Sequence, residues 1–257
     1  MIRDGAAAAP ARERKRRRPD QTADRLREQI IAANLQPGSR VPGEWIDPQT
    51  LGVSRGTARE ALKILAVQGL VESRSGPGGG VFVAAVRTDD AIRMLDNLFL
   101  FEAPTIADIY ALRKVIEPEL AASVAGRLSE TDLAALHATI RLYEDEPATA
   151  ADEYQQRLAE LDFHAELARR SDNRVLGFIC IFMVSLLRDM TVCREIYHTR
   201  NPSLRESGLT YQVQLLRAIK AGRSKEARDI MARHMVEAEA YMLDMAQIRR
   251  RGAGTTS

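Results

Sequence analysis

The chain has 257 residues, 45% hydrophobic and 28% charged, which is enough apolar material for buried cores and too much for a disordered polymer; the length suits two domains. The formal net charge is +2, but residues 1–90 hold 15 Lys and Arg against 11 Asp and Glu while the remainder holds 22 against 24, so the basic surplus lies at the front. Aromatic residues make up only 5%, and the dominance of Ala, Leu, Arg and Glu favours helices over sheets.

Residues 1–19 (MIRDGAAAAPARERKRRRP) read as a disordered basic arm, either a solvated tail or a nonspecific phosphate contact. The alanine run precedes the arginines instead of following them, which does not suit a signal peptide. The next segment, DQTADRLREQIIAANLQPGS, predicts a helix capped by Asp20 or Thr22, with Leu26, Ile30 and Ile31 facing inward and Pro37-Gly38 as its stop. A short helical segment follows over 43–51. Pro48 inside it removes a backbone donor and clashes one turn back, so this helix is short, kinked or starts late.

The third helix begins in GVSRGTAREALKIL, residues 52–65. Ala58, Ala61, Leu62 and Leu65 fall at i, i+3, i+4 and i+7 and form one apolar stripe, while Gly56, Arg59, Glu60 and Lys63 project from the opposite side. Ser54 suits the cap and Gly69 the stop. Taken alone, the charged face fits a solvated surface helix as well as a helix lying on nucleic acid. Two short strand-like pieces then follow, LVESRS and GVFVAA, separated by GPGGG, as in a hairpin.

From Thr88 onward every segment reads as helical: 88–101, 104–127, 129–147, 149–171, 172–198, 203–221 and 223–249, with Thr105, Ser129 followed by Asp132, Asp172 and Ser203 as caps. Seven helices with short connections make a bundle. Cys180 and Cys193 fall in one predicted helix, about 20 Å apart at 1.5 Å rise per residue, so they cannot pair with each other, and a reducing cytoplasm is the simple reading. The longest apolar run, LGFICIFMVSLL, is shorter than the roughly 20 residues a bilayer needs. No P-loop or dinucleotide glycine pattern occurs.

Three helices and a hairpin, with the third helix charged outward, make a winged helix-turn-helix, whose third helix has the diameter to enter a major groove. Here the residues resemble the DNA-binding domain of GntR-family transcriptional regulators. The matching elements are Pro37-Gly38, LGVSR at 51–55, REAL at 59–62, Leu65, GLV at 69–71 and the glycine-rich wing. The resemblance implies that Arg55 and Arg59 grip DNA, that Ser54 and Thr57 bond phosphate or bases, and that Gly78, Gly79 and Gly80 lie near the minor groove. Two departures bear on the operator: Gly56 stands where the family often has a hydroxyl residue, and Trp45 where some relatives have a basic one.

The remainder resembles the FCD effector domain of the FadR-type branch, in IADIYALRKVIEPELAASVA, LAELDFHAELARRSDN and LLRAIKAGRSKEARDIMARHM. Many relatives hold a divalent metal there on an Asp and a His four residues apart and two further His. The matching positions are Glu160, His164, Gln212 and His234. The resemblance thus implies a divalent ion of the Zn, Ni or Mn class on Glu160, His164 and His234, with Gln212 a departure because a neutral amide is a poor ligand for such an ion. The other open reading is that His164, Gln212 and His234 bond an organic ligand directly. Arg113 is the carboxylate clamp by resemblance, or else an ion-pair partner of Glu117 one turn on.

The expected architecture is mainly α: an arm over 1–19, a winged helix-turn-helix over 20–86, a helical effector-binding and dimerisation domain over 87–250 and a frayed tail over 251–257. The expected function is a cytoplasmic, homodimeric regulator that binds a pseudo-palindromic double-stranded operator, most simply as a repressor released by a small organic acid, with no catalytic residues and no membrane partner. One rival is a metal-dependent hydrolase or lyase using Glu160, His164 and His234. It lacks a nucleophile or general-base constellation and leaves the front domain without a role. The other rival is a sequence-indifferent architectural DNA-binding protein.

Overall fold

Arg18–Ala32 forms helix α1, which opens with Arg18 and Pro19. Proline is tolerated there because its missing N–H has no intrahelical partner in any case. Asp20 acts from the third helical position, accepting from the Arg17 backbone N–H at 3.2 Å, so neither Asp20 nor Thr22 is the cap residue; the Thr22 hydroxyl donates to the Arg18 carbonyl. Leu26 and Ile30 are buried, but Ile31 is exposed, one 100° step round the helix. These elements belong to a computed structural model that describes residues 17–85, 87–99, 101–142, 146–199 and 202–253. Most of the expected arm (1–16) and the last residues of the expected tail (254–257) lie outside the described residues.

The segment around Pro48 forms two one-turn helices, α2 (Gly43–Ile46) and α3 (Pro48–Leu51). Asp47 breaks them in an extended conformation and then caps α3, its carboxylate accepting from the Gln49 and Thr50 N–H groups at 3.0 Å each. Pro48 thereby sits at the first position of a helix, where it does no damage. Helix α4 (Arg55–Val67) follows, with Ala58, Ala61 and Leu65 buried and Gly69 at φ 72° just past its end.

Strands β1 (Val71–Arg74) and β2 (Gly80–Val83) pair antiparallel, Val71 opposite Val83 and Arg74 opposite Gly80. The segment before α2 lies along β2, with Gly38 N–H donating to Val83 O and Val41 N–H to Val81 O, both 2.8 Å. The core of this unit gathers Leu26, Ile30, Val41, Leu51, Ala58, Ala61, Leu65, Val71 and Val83, with Trp45 packed partly buried against it. Trp45 therefore packs; it does not take over a surface charge.

The chain divides into two compact units between Ala91 and Ile92, inside helix α5 (Thr88–Asp96), after which Asn97–Phe99 form a 3-10 turn. The second unit continues with α6 (Ile106–Val124), α7 (Glu130–Arg141), α8 (Ala150–Ala168), α9 (Arg174–Asp189), α10 (Thr191–Tyr197), α11 (Pro202–Lys220) and α12 (Ser224–Ala253). Thr105 and Ser129 cap α6 and α7 in reciprocal capping boxes with Asp108 and Asp132. The cap of α9 is Asn173, not Asp172: its side-chain oxygen accepts from Val175 and Leu176 N–H, while Asp172 pairs with Arg127 at 3.1 Å. Ser203 lies inside α11, which begins at Pro202.

The expected single helix over 172–198 is two. Met190 is extended (φ −61°, ψ 125°) and the pieces are bent by 75°, so Cys180 and Cys193 sit on different helices, both buried with free thiols. Burial pushes each thiol up to about 12. Among the described residues no single helix is long and apolar enough to cross a membrane. Helix α6 packs along α12, and α8 and α11 complete the walls. One core, around Leu120, Leu136, Phe163, Leu167, Leu215 and Met231, lies beside a second around Ile109, Phe182, Leu187, Ile196 and Met242.

Candidate DNA interface and effector pocket

The N-terminus of α4 carries the first candidate site. Ser54 accepts from the Thr57 N–H at 3.1 Å, and its hydroxyl lies 2.9 Å from the Thr57 hydroxyl, so the cap also fixes Thr57. Arg55 is the first helical residue and Arg59 lies one turn on. Both are exposed, and neither bonds or pairs with a described residue, whereas Lys63 on the same helix is taken by Glu60 at 2.9 Å. The helix thus presents two free guanidiniums at the end that meets base edges when such a helix enters a groove. A Cβ on Gly56 would meet only Ser54 Oγ, at 3.7 Å, so the missing side chain leaves open space on that face.

In the wing, Gly78 is exposed and Gly79 and Gly80 are half-buried. Gly79 has to be glycine, because a Cβ there would lie 2.5 Å from the Arg74 carbonyl oxygen and 2.8 Å from that of Gly76, both backbone atoms. Sequence reasoning missed Arg40, which stands outside the hairpin. Its Nη2 donates to the Gly79 carbonyl at 2.8 Å, bracing the loop from the neighbouring segment. The Arg74 guanidinium lies 4.2 Å over the Phe82 ring, a cation–π contact that holds the same hairpin.

The second site is in the bundle. Apart from Thr22, the buried polar side chains among the described residues are Arg113 and Glu117 on α6, Glu153, Gln156, Arg157 and His164 on α8, Gln212 on α11 and His234 on α12. Buried charges at such density must satisfy one another or a ligand. Glu117 is the hub. One carboxylate oxygen accepts from Arg113 Nε and the other from His164 Nδ1. Burial alone would raise its carboxyl, but the Arg113 and His164 charges and their hydrogen bonds together hold it below the usual carboxylate range. Arg113 is thus an ion-pair partner of Glu117, yet its Nη2 has no hydrogen-bond partner among the described residues. His234 is pushed well below its ordinary value by burial, with the His164 and Arg113 charges adding and the Glu117 charge opposing.

Arg113, Glu160, His164 and His234 line one cavity, with Tyr110, Arg157, Tyr197 and Tyr241. Four of the five expected effector residues therefore meet. Gln212 is not in the lining, its amide nitrogen 3.5 Å from the Tyr211 hydroxyl and its Oε1 without a partner among the described residues. Arg157, Glu117 and Tyr211 were not among the expected site residues. The Tyr211 hydroxyl is 2.9 Å from His164 Nε2, and its ring stacks on His234 with centroids 3.4 Å apart at 12°.

A divalent ion requires lone pairs aimed at a common point about 2 Å from each donor. Both ring nitrogens of His164 already have partners. Glu160 lies 3.6 Å from His234 Nε2 and 3.8 Å from Arg157 Nη1. No group of three His, Cys, Asp or Glu side chains among the described residues is placed to hold a metal. This donor set does not fit a transition-metal ion.

Comparison with known proteins matches both halves of the chain. Residues 19–83 match the family described as bacterial regulatory proteins, gntR family, and residues 108–237 match the FCD domain. The putative L-lactate dehydrogenase operon regulatory protein of Escherichia coli is 30% identical over 230 residues, covering 86% of this chain and 84% of that protein. The transcriptional regulator LutR of Bacillus subtilis is 24% identical over 82% of this chain and 94% of its own length. Among solved structures, a GntR protein of Streptococcus agalactiae aligns with a TM-score of 0.61 at 25% identity, covering 86% of this chain and 99% of that one.

Proposed function

The chain belongs to the GntR family of bacterial regulatory proteins and carries its FCD domain, and from that premise we propose how this DNA-binding transcriptional regulator works: a small organic acid binds in the helical bundle and releases the winged domain from its operator. The protein acts as a cytoplasmic homodimer, whose two winged units read the two halves of a pseudo-palindromic operator. Arg55 and Arg59 supply base and phosphate contacts, Ser54 and Thr57 hold the helix end against the backbone, and the wing glycines admit the neighbouring groove.

One observation carries the effector reading: Arg113 is buried at 2% exposure and lines the cavity while its Nη2 has no partner among the described residues. A buried donor left unsatisfied costs on the order of 1–3 kcal/mol, more when charged, and a carboxylate oxygen is the acceptor that suits a guanidinium best. The E. coli relative is named for an L-lactate dehydrogenase operon, which supports a short hydroxy acid as the ligand class. A thermal-shift screen of short mono- and dicarboxylic acids, L-lactate among them, tests the reading. At least one acid raises the melting temperature of the wild type and fails to raise that of Arg113→Lys, which keeps the charge beside Glu117 but loses the planar fork. No shift from any acid sinks it.

The enzyme reading has less support, since the relatives named above are regulators and the Glu160, His164 and His234 group it would use does not fit a metal.

A further inference from the structure

We propose that Tyr211 fills the seat a divalent ion would need at His164, so that the pocket takes its ligand directly on protein donors with no metal bridge. This rests on the effector reading above only for the ligand; the claim about the metal stands on the residues themselves. His164 is the ligand that an ion between Glu160 and His234, 3.6 Å apart, would need in addition. Its Nδ1 donates to Glu117, the arrangement that usually orients a metal-binding imidazole and frees Nε2 for the ion. Here Nε2 faces the Tyr211 hydroxyl at 2.9 Å. The two atoms satisfy each other: either the Tyr211 hydroxyl donates to Nε2 or Nε2–H donates to the hydroxyl oxygen, and in neither case is a lone pair of Nε2 left for an ion.

The seat is closed from a second side. The Tyr211 ring lies flat on His234, the next donor. An incoming ion would have to break a satisfied buried hydrogen bond and lift a stacked ring. What it would gain is small: Glu160 is shared with Arg157 and His234, and a neutral amide, Gln212, stands where a further ligand would be needed. The buried guanidiniums of Arg113 and Arg157 line the same cavity, and although Glu117 and Glu160 offset their charge, their N–H groups are donors only and offer a cation no lone pair. The same donors favour an anionic ligand.

Tyr211 also has a positive task. Its hydroxyl fixes the His164 ring, His164 fixes one oxygen of Glu117, and the other oxygen holds Arg113 by Nε. That chain leaves Nη2 as the free corner of the guanidinium. Tyr211 is therefore a positioning residue for the ligand, acting through three hydrogen bonds.

The test uses the full chain, expressed in medium supplemented with zinc, manganese and nickel and purified without chelator. Metal analysis is expected to find trace ion only, and Zn2+ titration of the wild type is expected to give no saturable thermal shift. Acid-induced shifts are expected to be the same with and without EDTA. Tyr211→Phe, which keeps the stacked ring and loses the hydroxyl, is expected to weaken acid binding roughly five- to tenfold, the equivalent of one buried hydrogen bond, and to remain insensitive to EDTA. One equivalent of bound metal per chain, or an acid response abolished by EDTA and restored by Zn2+, overturns the proposal while leaving the regulator reading intact. If no acid acts under either condition, the effector reading fails, and metal content and Zn2+ titration still decide the role of Tyr211.

Discussion

Glu117 and His164 sit on different helices, 47 residues apart in sequence, and share a buried hydrogen bond at which the carboxylate meets Nδ1 of the imidazole. The other Glu117 oxygen holds Arg113 Nε. One side chain thus ties α6 to α8 and sets the polarity of the pocket. Such a cluster is costly to bury, and its main value lies in fixing one arrangement of the groups around it.

Glu117→Gln removes the negative charge while keeping the shape. Arg113 then remains buried without compensation, and the variant is expected to lose about 3–5 kcal/mol of stability. Denaturant midpoints of the full chain measure this, and a loss under about 1 kcal/mol would mean that Arg113 finds water or another carboxylate.

Acid is expected to destabilise the helical unit in two stages. His234 has its folded value depressed below 6.5 by burial and by the His164 and Arg113 charges. The unfolded chain therefore takes up a proton there first, and stability falls as pH drops below about 6.5, by up to ~1.4 kcal/mol per pH unit for one proton. The Glu117 carboxyl is held below its ordinary 4.5, so its contribution is complete above that value and is lost as pH falls further. Melting temperature against pH at constant salt should show both slopes; His234→Gln should remove the upper one and leave the lower.

Arg59→Ala deletes an exposed side chain that bonds to no described residue, so folding should be unaffected. Specific operator affinity should fall by about 1–3 kcal/mol, with a shallower salt dependence if the contact is to phosphate. Operator duplexes selected from a random library supply the probe. Unchanged affinity would remove α4 from the groove.

Gly79→Ala forces a Cβ to within 2.5 Å of the Arg74 carbonyl oxygen, which the loop can relieve only by opening. The Arg40 brace to the same residue would then be lost. Affinity for the selected duplex should drop while binding to nonspecific duplex changes little; equal losses on both would point to global damage instead of a wing effect.

The winged unit was largely legible in the sequence because its signals are local. Ser54, the stripe through Ala58, Ala61 and Leu65, and the glycines of the hairpin each act within a few residues. The break at Met190 was not legible. No Gly or Pro marks it, and Met190 N–H still bonds the Leu186 carbonyl at 3.0 Å. The spacing of Glu160 and His164 at i and i+4 placed both on one face, and a family resemblance added Arg113 and His234. Tyr211 carried no signal, because its contacts with His164 and His234 depend on how α8, α11 and α12 sit against one another. The same holds for Glu117, which reads in sequence as a partner of Arg113 alone.

The measurement that bears most directly on a regulator released by an acid at Arg113 is fluorescence anisotropy of the selected operator duplex with the full chain, titrated with the acid that gives the largest thermal shift. Wild-type protein should leave the duplex as the acid is added, with a midpoint that rises above the acid's binding constant for the free protein as the protein–duplex concentration rises, and Arg113→Lys should stay bound throughout. Operator affinity that does not respond to the acid, or release that is the same in Arg113→Lys, would contradict the account.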